Sequence, residues 1–71
     1  SRQINLVDLN DENNNSIMYV VDGFLYTYID RLPVINSNGF LGWYTSVTGG
    51  NQITSESRVN ENITTLYARW E

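Results

Sequence analysis

The chain has 71 residues and a net charge of −4, with four arginines and no lysine, cysteine or histidine. Its length allows one domain with a small core, and the missing residue types exclude a disulfide framework and a zinc site built on cysteine or histidine. An acidic chain without a basic cluster is a poor match for nucleic acid, and no apolar run is long enough to insert directly into a membrane.

The first part of the chain predicts a β-hairpin. Residues 4–9 and 16–21 are rich in branched and aromatic side chains, which favour strands. Residues 10–15 between them form a purely polar run of loop composition, because asparagine and aspartate bond locally to the backbone and tolerate turn conformations. The second strand is expected to end at Asp22-Gly23.

Residues 24–32 fit two different secondary structures. Their apolar side chains recur at helical spacing, with Asp22 available as the N-cap and Pro33 as the residue that ends the helix. Residues 26–29 have strand propensity, so an extended segment is the alternative. We expect a short helix here.

The remaining chain predicts two further strands, at residues 40–45 and 64–71, and a short strand or bridge at residues 52–54. Residues 40–45 and 52–54 flank a turn at Gly49-Gly50, and residues 64–71 alternate most regularly. Val59 is the one expected core anchor of the polar stretch before the last strand. The sequence therefore predicts a small α+β domain of β-grasp type, mostly β, in which two hairpins form a mixed sheet with one short helix between them.

The chain has few residues suited to catalysis or metal binding. An EF-hand loop counted from Asp8 would need glycine and glutamate where Asn13 and Tyr19 stand, so a solvated hairpin loop is expected and no metal site. The usual general bases and nucleophiles are missing. Asp30 beside Arg31 is expected to form a solvated charge pair. We predict no enzymatic activity, no catalytic residue and no cofactor.

Nine aromatic residues must supply most of the core. Trp43 and Trp70 could serve as a stacking platform for a ligand, but the small size of the domain favours a structural role. The predicted structural core consists of Phe40, Gly42, Trp43, Leu66 and Trp70. Tyr44 and Tyr67 point to the opposite face and are candidates for partner binding. An exposed edge of the sheet is the other candidate.

A family resemblance is carried by three stretches of the second half. These are Phe-Leu-Gly-Trp-Tyr-Thr at residues 40–45, Gly49-Gly50, and Asn-Ile-Thr-Thr-Leu-Tyr-Ala-Arg-Trp at residues 62–70. Together they closely resemble the Listeria–Bacteroides repeat, the family of the B repeat of internalin B. Leu32-Pro33 and residues 4–9 also match the family pattern, so the resemblance covers most of the chain.

The resemblance implies a single repeat-type domain over residues 1–71, with a β-grasp-like fold, belonging to a larger surface protein. Members of the family act as spacers or adhesion modules of bacterial cell-surface and secreted proteins, without known catalysis, so an extracellular location is expected. Expected partners are neighbouring domains of the same chain and an unknown protein or glycan. A specific recognition module that uses exposed tyrosines or a sheet edge is the alternative. The chain departs from the family at residues 24–29, where a hydrophobic run replaces a Tyr-Gly turn.

Overall fold

A computed structural model describes all of residues 1–71 and contains five β-strands and one short 3₁₀-helix. The strands are β1 Arg2–Val7, β2 Ser16–Val20, β3 Phe40–Tyr44, β4 Gln52–Ile53 and β5 Thr65–Trp70. The 3₁₀-helix spans Glu12–Asn14 in the loop between β1 and β2, where Asp11 caps its N-terminus. The four predicted strands are confirmed, with ends displaced by no more than two residues, and the short strand or bridge expected at residues 52–54 is the two-residue strand β4.

The strands form one mixed sheet in the order β2-β1-β5-β3-β4. β1 and β5 are parallel, with Asn5 opposite Thr65 and Val7 opposite Tyr67. The other three strand pairs are antiparallel. The predicted mixed sheet and the β1–β2 hairpin are therefore confirmed, and Trp43 and Trp70 lie on antiparallel neighbours, β3 and β5, as expected. The last strand returns to the middle of the sheet and joins the two hairpins.

The helix predicted over residues 24–32 is wrong, and the fold contains no α-helix. The segment consists of turns, and its backbone pairs with a later segment of the chain. The Tyr26 N–H donates to the Ser57 carbonyl at 2.9 Å, and the Val59 N–H donates to the Phe24 carbonyl at 2.8 Å. These long-range hydrogen bonds replace the helical ones, and they allow Tyr26 to enter the core.

The core lies on one face of the sheet, under the segments before β3 and before β5. β1 shows how the strands contribute, since its buried and exposed residues alternate. Val59 is the buried anchor that the sequence predicted. The buried apolar side chains are Ile4, Leu6, Met18, Val20, Tyr26, Trp43, Val59 and Leu66. Burying such a side chain contributes roughly 1.5–3 kcal/mol, so eight of them make a small core.

The two edges of the sheet, β4 and β2, differ in how much backbone they leave free for a further strand. β4 has two residues, too short to template a neighbouring strand. On β2, the Tyr19 N–H donates to the Asp30 carboxylate at 2.7 Å, so this side chain occupies an outward-facing backbone donor. The expected charge pair between Asp30 and Arg31 is wrong, because the ion pair of this structure joins Arg2 to Asp22. Asp22 is correspondingly not a helix cap.

Candidate functional site

The face of the sheet that points away from the core is its open face. Its side chains are exposed or half-buried, because every second strand residue must point away from the core. The open face carries Gln3, Asn5, Val7, Ile17, Tyr19, Tyr44, Gln52, Thr65, Tyr67 and Arg69. Tyrosines and amide side chains thus dominate this face, which lies outside the hydrophobic core.

Tyr44 and Tyr67, the predicted partner-binding residues, are direct neighbours at the centre of the open face. They lie opposite each other on β3 and β5, and both are half-buried. Val7 of β1 continues the row on the far side of Tyr67. Opposed side chains on adjacent strands stand about 5 Å apart at Cβ, so these three residues form a continuous strip.

Arg69 is the charged member of the open face, and sequence reasoning missed it. Its guanidinium lies 4.1 Å from the centre of the Tyr44 ring, and its Nη1 donates to the Gly49 carbonyl at 2.5 Å. Arg69 is the only charged side chain that the strands place on this face, and none of the eight acidic residues lies in a strand. The open face is therefore free of strand carboxylates although the chain is acidic.

Gly42, which the sequence placed in the structural core, is half-buried. It sits at a β-bulge where the register of β3 and β5 shifts, with a φ of +131°. A Cβ here would lie 2.7 Å from the Gln52 amide nitrogen. The extra residue lets Phe40 and Trp43, three positions apart, both turn to the core side, where their rings are 5.9 Å apart.

The other four residues of the predicted structural core differ in how deeply they are buried. Trp43 and Leu66 are buried, and the Trp43 indole donates to the Pro33 carbonyl at 2.8 Å. Phe40 packs against the buried cluster without belonging to it. Trp70 is half-buried and contacts the Phe40 ring at 5.4 Å between centroids. Its indole N–H points to a carboxylate rather than into the apolar core.

That carboxylate belongs to Asp8, which is 2 % exposed. Its oxygens accept hydrogen bonds from the Trp70 indole at 2.9 Å, the Asn10 backbone at 2.9 Å and the Asn14 amide at 2.8 Å. Burial alone raises the pKa of Asp8, but these bonds and one from the Asp11 backbone outweigh it and hold the pKa below the ordinary 3.8. Asp8 is a structural anion that fastens the β1–β2 loop to the end of β5.

Tyr26 presents the opposite case, a buried polar group without a partner. The residue is 1 % exposed, and its hydroxyl has no hydrogen-bond partner among the other atoms of the chain. Burial raises the pKa of Tyr26 above its ordinary 10.0, with Arg2 opposing the shift and Asp22 adding to it. Sequence reasoning missed this buried hydroxyl, because residues 24–32 were expected to form a helix.

The same segment exposes a second apolar surface, the loop patch of Phe24, Leu25, Tyr28 and Ile29. Each of these side chains is exposed, and the Phe24 and Tyr28 rings lie 4.6 Å apart. In sequence they flank Tyr26, the one large side chain of the segment that is buried. The hydrophobic run that departs from the family pattern therefore contributes mostly to the surface.

A groove of about 350 Å³ borders the open face at Arg69. Its walls come from the loop after β1, from the end of β5 and from the turn after β3, and Leu9 and Val47 are its exposed apolar side chains. Asn10 and Thr48 add polar groups beside them. The groove extends the open face with a concave surface of mixed apolar and hydrogen-bonding character.

Carboxylates are dispersed over the fold, and no group of three or more lies close enough to hold a metal ion. No helix has the length and apolar character needed to cross a membrane.

No protein-family model, curated protein or solved structure matches this chain. The resemblance of the second half to the Listeria–Bacteroides repeat stays a prediction. The candidate site consequently rests on the contacts of the open face, namely the Tyr44–Tyr67 pair, the Arg69 cation above it and the adjoining groove.

Proposed function

We propose that this chain is a non-enzymatic, β-grasp-like module of a bacterial cell-surface or secreted protein, acting as a spacer or adhesion repeat. The observation that carries this proposal is the parallel pairing of the first and last strands. Because β1 and β5 run side by side in the same direction, the chain enters at one end of the sheet and leaves at the opposite end. An antiparallel pair would bring the two ends together.

The separation of the two ends follows from the register. Asn5 lies opposite Thr65, so Arg2 is level with position 62 and Trp70 lies eight residues further along. At about 3.3 Å per residue, roughly 26 Å of sheet separates entry from exit. The longest dimension of the domain is 31 Å. Copies joined in series would therefore add most of their length to the array.

The titratable groups support a non-enzymatic role. The two side chains with displaced pKa values are Asp8 and Tyr26, and both are buried. Hydrogen-bond donors within the fold already occupy the Asp8 oxygens. A general acid or base must reach a substrate proton, which neither group can do from its position. The surface and extracellular setting rests on the family resemblance.

The open face supports a second candidate function, specific recognition of a protein or glycan. Tyrosine and arginine are the residues that most often anchor interfaces, and the Tyr44–Tyr67 pair with Arg69 places them together. Hydrogen bonding to Gly49 and stacking on Tyr44 hold Arg69 in place, which lowers the entropy lost on binding. The sheet edges are less suitable, because one is short and the other is occupied by Asp30.

The spacer function is tested with direct tandem fusions of one, two and three copies of the chain. Small-angle X-ray scattering should show the maximum dimension growing by roughly 25–30 Å per added copy, the length of one sheet. Tandem fusions whose maximum dimension grows by much less would pack side by side, and the spacer proposal would be rejected.

The recognition function is tested on glycan and protein arrays. The Tyr67→Ser variant should lose any reproducible binding of the natural chain, because Tyr67 lies at the centre of the open face. Tyr28→Ser is the matched control, since Tyr28 is an exposed tyrosine outside that face. Recognition through this face would be rejected if both variants lost binding equally. It would also be rejected if neither the natural chain nor either variant bound any array member reproducibly.

A further inference from the structure

The contacts between the two terminal strands extend beyond the paired backbone. In the middle, the Asn5 N–H donates to the Thr64 carbonyl at 2.9 Å, and the parallel register continues to Val7 opposite Tyr67. Side chains then join the strands at both ends of β1. The pair is thus connected at its start, along its length and at its finish.

Arg2 makes the connection at the start of β1. Its Nη1 donates to the Ile63 carbonyl at 2.6 Å, and its Nη2 donates to the Asn60 carbonyl at 3.2 Å. Its Nε is 2.9 Å from an Asp22 carboxylate oxygen. One guanidinium therefore fastens the first strand to the segment that leads directly into β5, with the planar geometry that arginine provides.

Asp8 and Trp70 make the connection at the other end. The Trp70 indole N–H donates to the Asp8 carboxylate at 2.9 Å, across 62 positions of sequence. Asp8 directly follows β1, and Trp70 is the last residue of β5. A hydrogen bond to a buried carboxylate is stronger than one between neutral groups.

We propose that the β1–β5 pair is a shear clamp that resists a stretching force applied through the two ends of the chain. This inference deepens the proposed spacer function and rests on it for its biological use. A force that separates Ser1 from Glu71 pulls β1 and β5 in opposite directions along their common axis. Their hydrogen bonds are then loaded together, whereas a hairpin opened from its end loses them one at a time.

The core adds to the resistance. Leu6 and Leu66 lie opposite each other on the two strands, and both are buried. A shift of one residue between β1 and β5 would turn the inward side chains of a strand to the other face, because the strand period is two. Sliding therefore disrupts the hydrogen bonds and the core in the same step, so no small displacement relieves the force.

Single-molecule force spectroscopy tests the clamp by comparing two pulling directions on the full chain. The first direction attaches handles at the two chain ends and shears β1 against β5. The second attaches them at the C-terminus and at an Asn38→Cys substitution, a unique cysteine in this chain. Since Phe40 lies opposite Trp70, this direction peels β3 from β5 pair by pair.

We expect a mean unfolding force several times higher in the shear direction than in the peeling direction. Complete unfolding between the chain ends should lengthen the molecule by roughly 220 Å, which identifies the event. Forced unfolding reports the unfolding barrier in the direction of pulling, so equilibrium stability, identical in both cases, does not contribute. A shear force equal to or below the peeling force would overturn the clamp.

A pair of arginine variants tests the contribution of Arg2. Arg2→Gln should lower the unfolding force in the shear direction and leave the peeling force unchanged, because Arg2 does not touch the β3–β5 pair. Arg58→Gln is the matched control, since Arg58 also donates to a backbone carbonyl, that of Gly23, but outside the clamp. An equal fall in both directions would overturn the role of Arg2, and if this variant does not fold, the two-direction comparison still decides the clamp.

The outcome is separable from that of the spacer proposal. Extended tandem fusions that unfold at equal force in both directions would keep the spacer and reject the clamp. Compact tandem fusions would reject the spacer, whatever force the single domain withstands.

Discussion

Replacing Tyr26 by phenylalanine should stabilise the protein. The substitution removes one oxygen atom that is buried and has no hydrogen-bond partner. A polar group left unsatisfied inside a protein costs about 1–3 kcal/mol, and phenylalanine removes that cost. The substitution leaves a cavity of roughly 10 Å³, which lowers the free energy of unfolding by about 0.2 kcal/mol at 24 cal/mol per Å³. The free energy of unfolding should therefore rise by about 1–3 kcal/mol.

Thermal and urea unfolding followed by circular dichroism measure this gain. A change of 1 kcal/mol shifts the melting temperature of a domain of this size by about 4–8 °C, so Tyr26→Phe should melt roughly 4–24 °C higher. The urea midpoint should rise without a change in slope. Tyr28→Phe is the control, because the Tyr28 side chain is exposed and its variant should change stability by less than about 0.5 kcal/mol.

The same variant should alter the alkaline limit of stability. Burial holds the pKa of Tyr26 above 10.0 in the folded protein, whereas the unfolded chain ionises near 10.0. Near pH 10 the folded state then binds more protons than the unfolded chain. The contribution of Tyr26 to the free energy of unfolding is therefore fully present below pH 10 and falls as the pH rises towards the folded pKa. Tyr26→Phe should flatten this decline. A variant that melts lower than the natural chain would refute the reasoning, since the hydroxyl must then have a native partner.

Three further changes probe the polar and aromatic contacts. Because hydrogen bonds hold the pKa of Asp8 below 3.8, the Asp8 carboxylate should stabilise the protein above about pH 4 and lose this effect as the pH falls through the folded pKa. Asp8→Asn should therefore flatten the decline of the free energy of unfolding in acid, measured by urea unfolding. Trp43→Ala should cost about 3–5 kcal/mol, enough to abolish the folded signal in circular dichroism, and a folded variant would contradict its burial. Gly42→Ala should lower the melting temperature, because its Cβ meets Gln52 at a φ of +131°, and restoration by Gln52→Ala would separate the clash from backbone strain.

The strands could be predicted from the sequence because their signals are local. Alternating apolar residues mark β1 and β5, and paired glycines mark the turn between β3 and β4, where Gly49 and Gly50 adopt φ values of +66° and +67°. Residues 24–32 lack such a decisive signal, since their apolar spacing and their strand propensity oppose each other. Pairing with residues 57–59, which no local window contains, decided the outcome.

The candidate site could be predicted only in part, for a related reason. Alternation is enough to place Tyr44 and Tyr67 on the face opposite the core. It does not place Arg69 over Tyr44, because that contact depends on the register of β3 against β5, and the bulge at Gly42 shifts this register. The bond from Trp70 to Asp8 likewise spans 62 positions and requires the parallel pairing of the terminal strands. Sequence pattern specifies which face a side chain occupies, and tertiary register specifies its neighbours.

The polar contacts of β1 compensate for a small core. A domain of 71 residues with eight buried apolar side chains and no disulfide has little stability in reserve. The contacts of Arg2 and Asp8 each join residues about 60 positions apart, and a contact that closes a longer loop restricts the chain more. Both contacts also hold the central parallel pair, the part of the sheet that depends on the most distant residues. Such non-local pairing forms slowly, and opening the pair requires the anchors, the register and the core to be lost together. In the proposed shear clamp these contacts would raise the unfolding barrier, which is the quantity that forced unfolding measures.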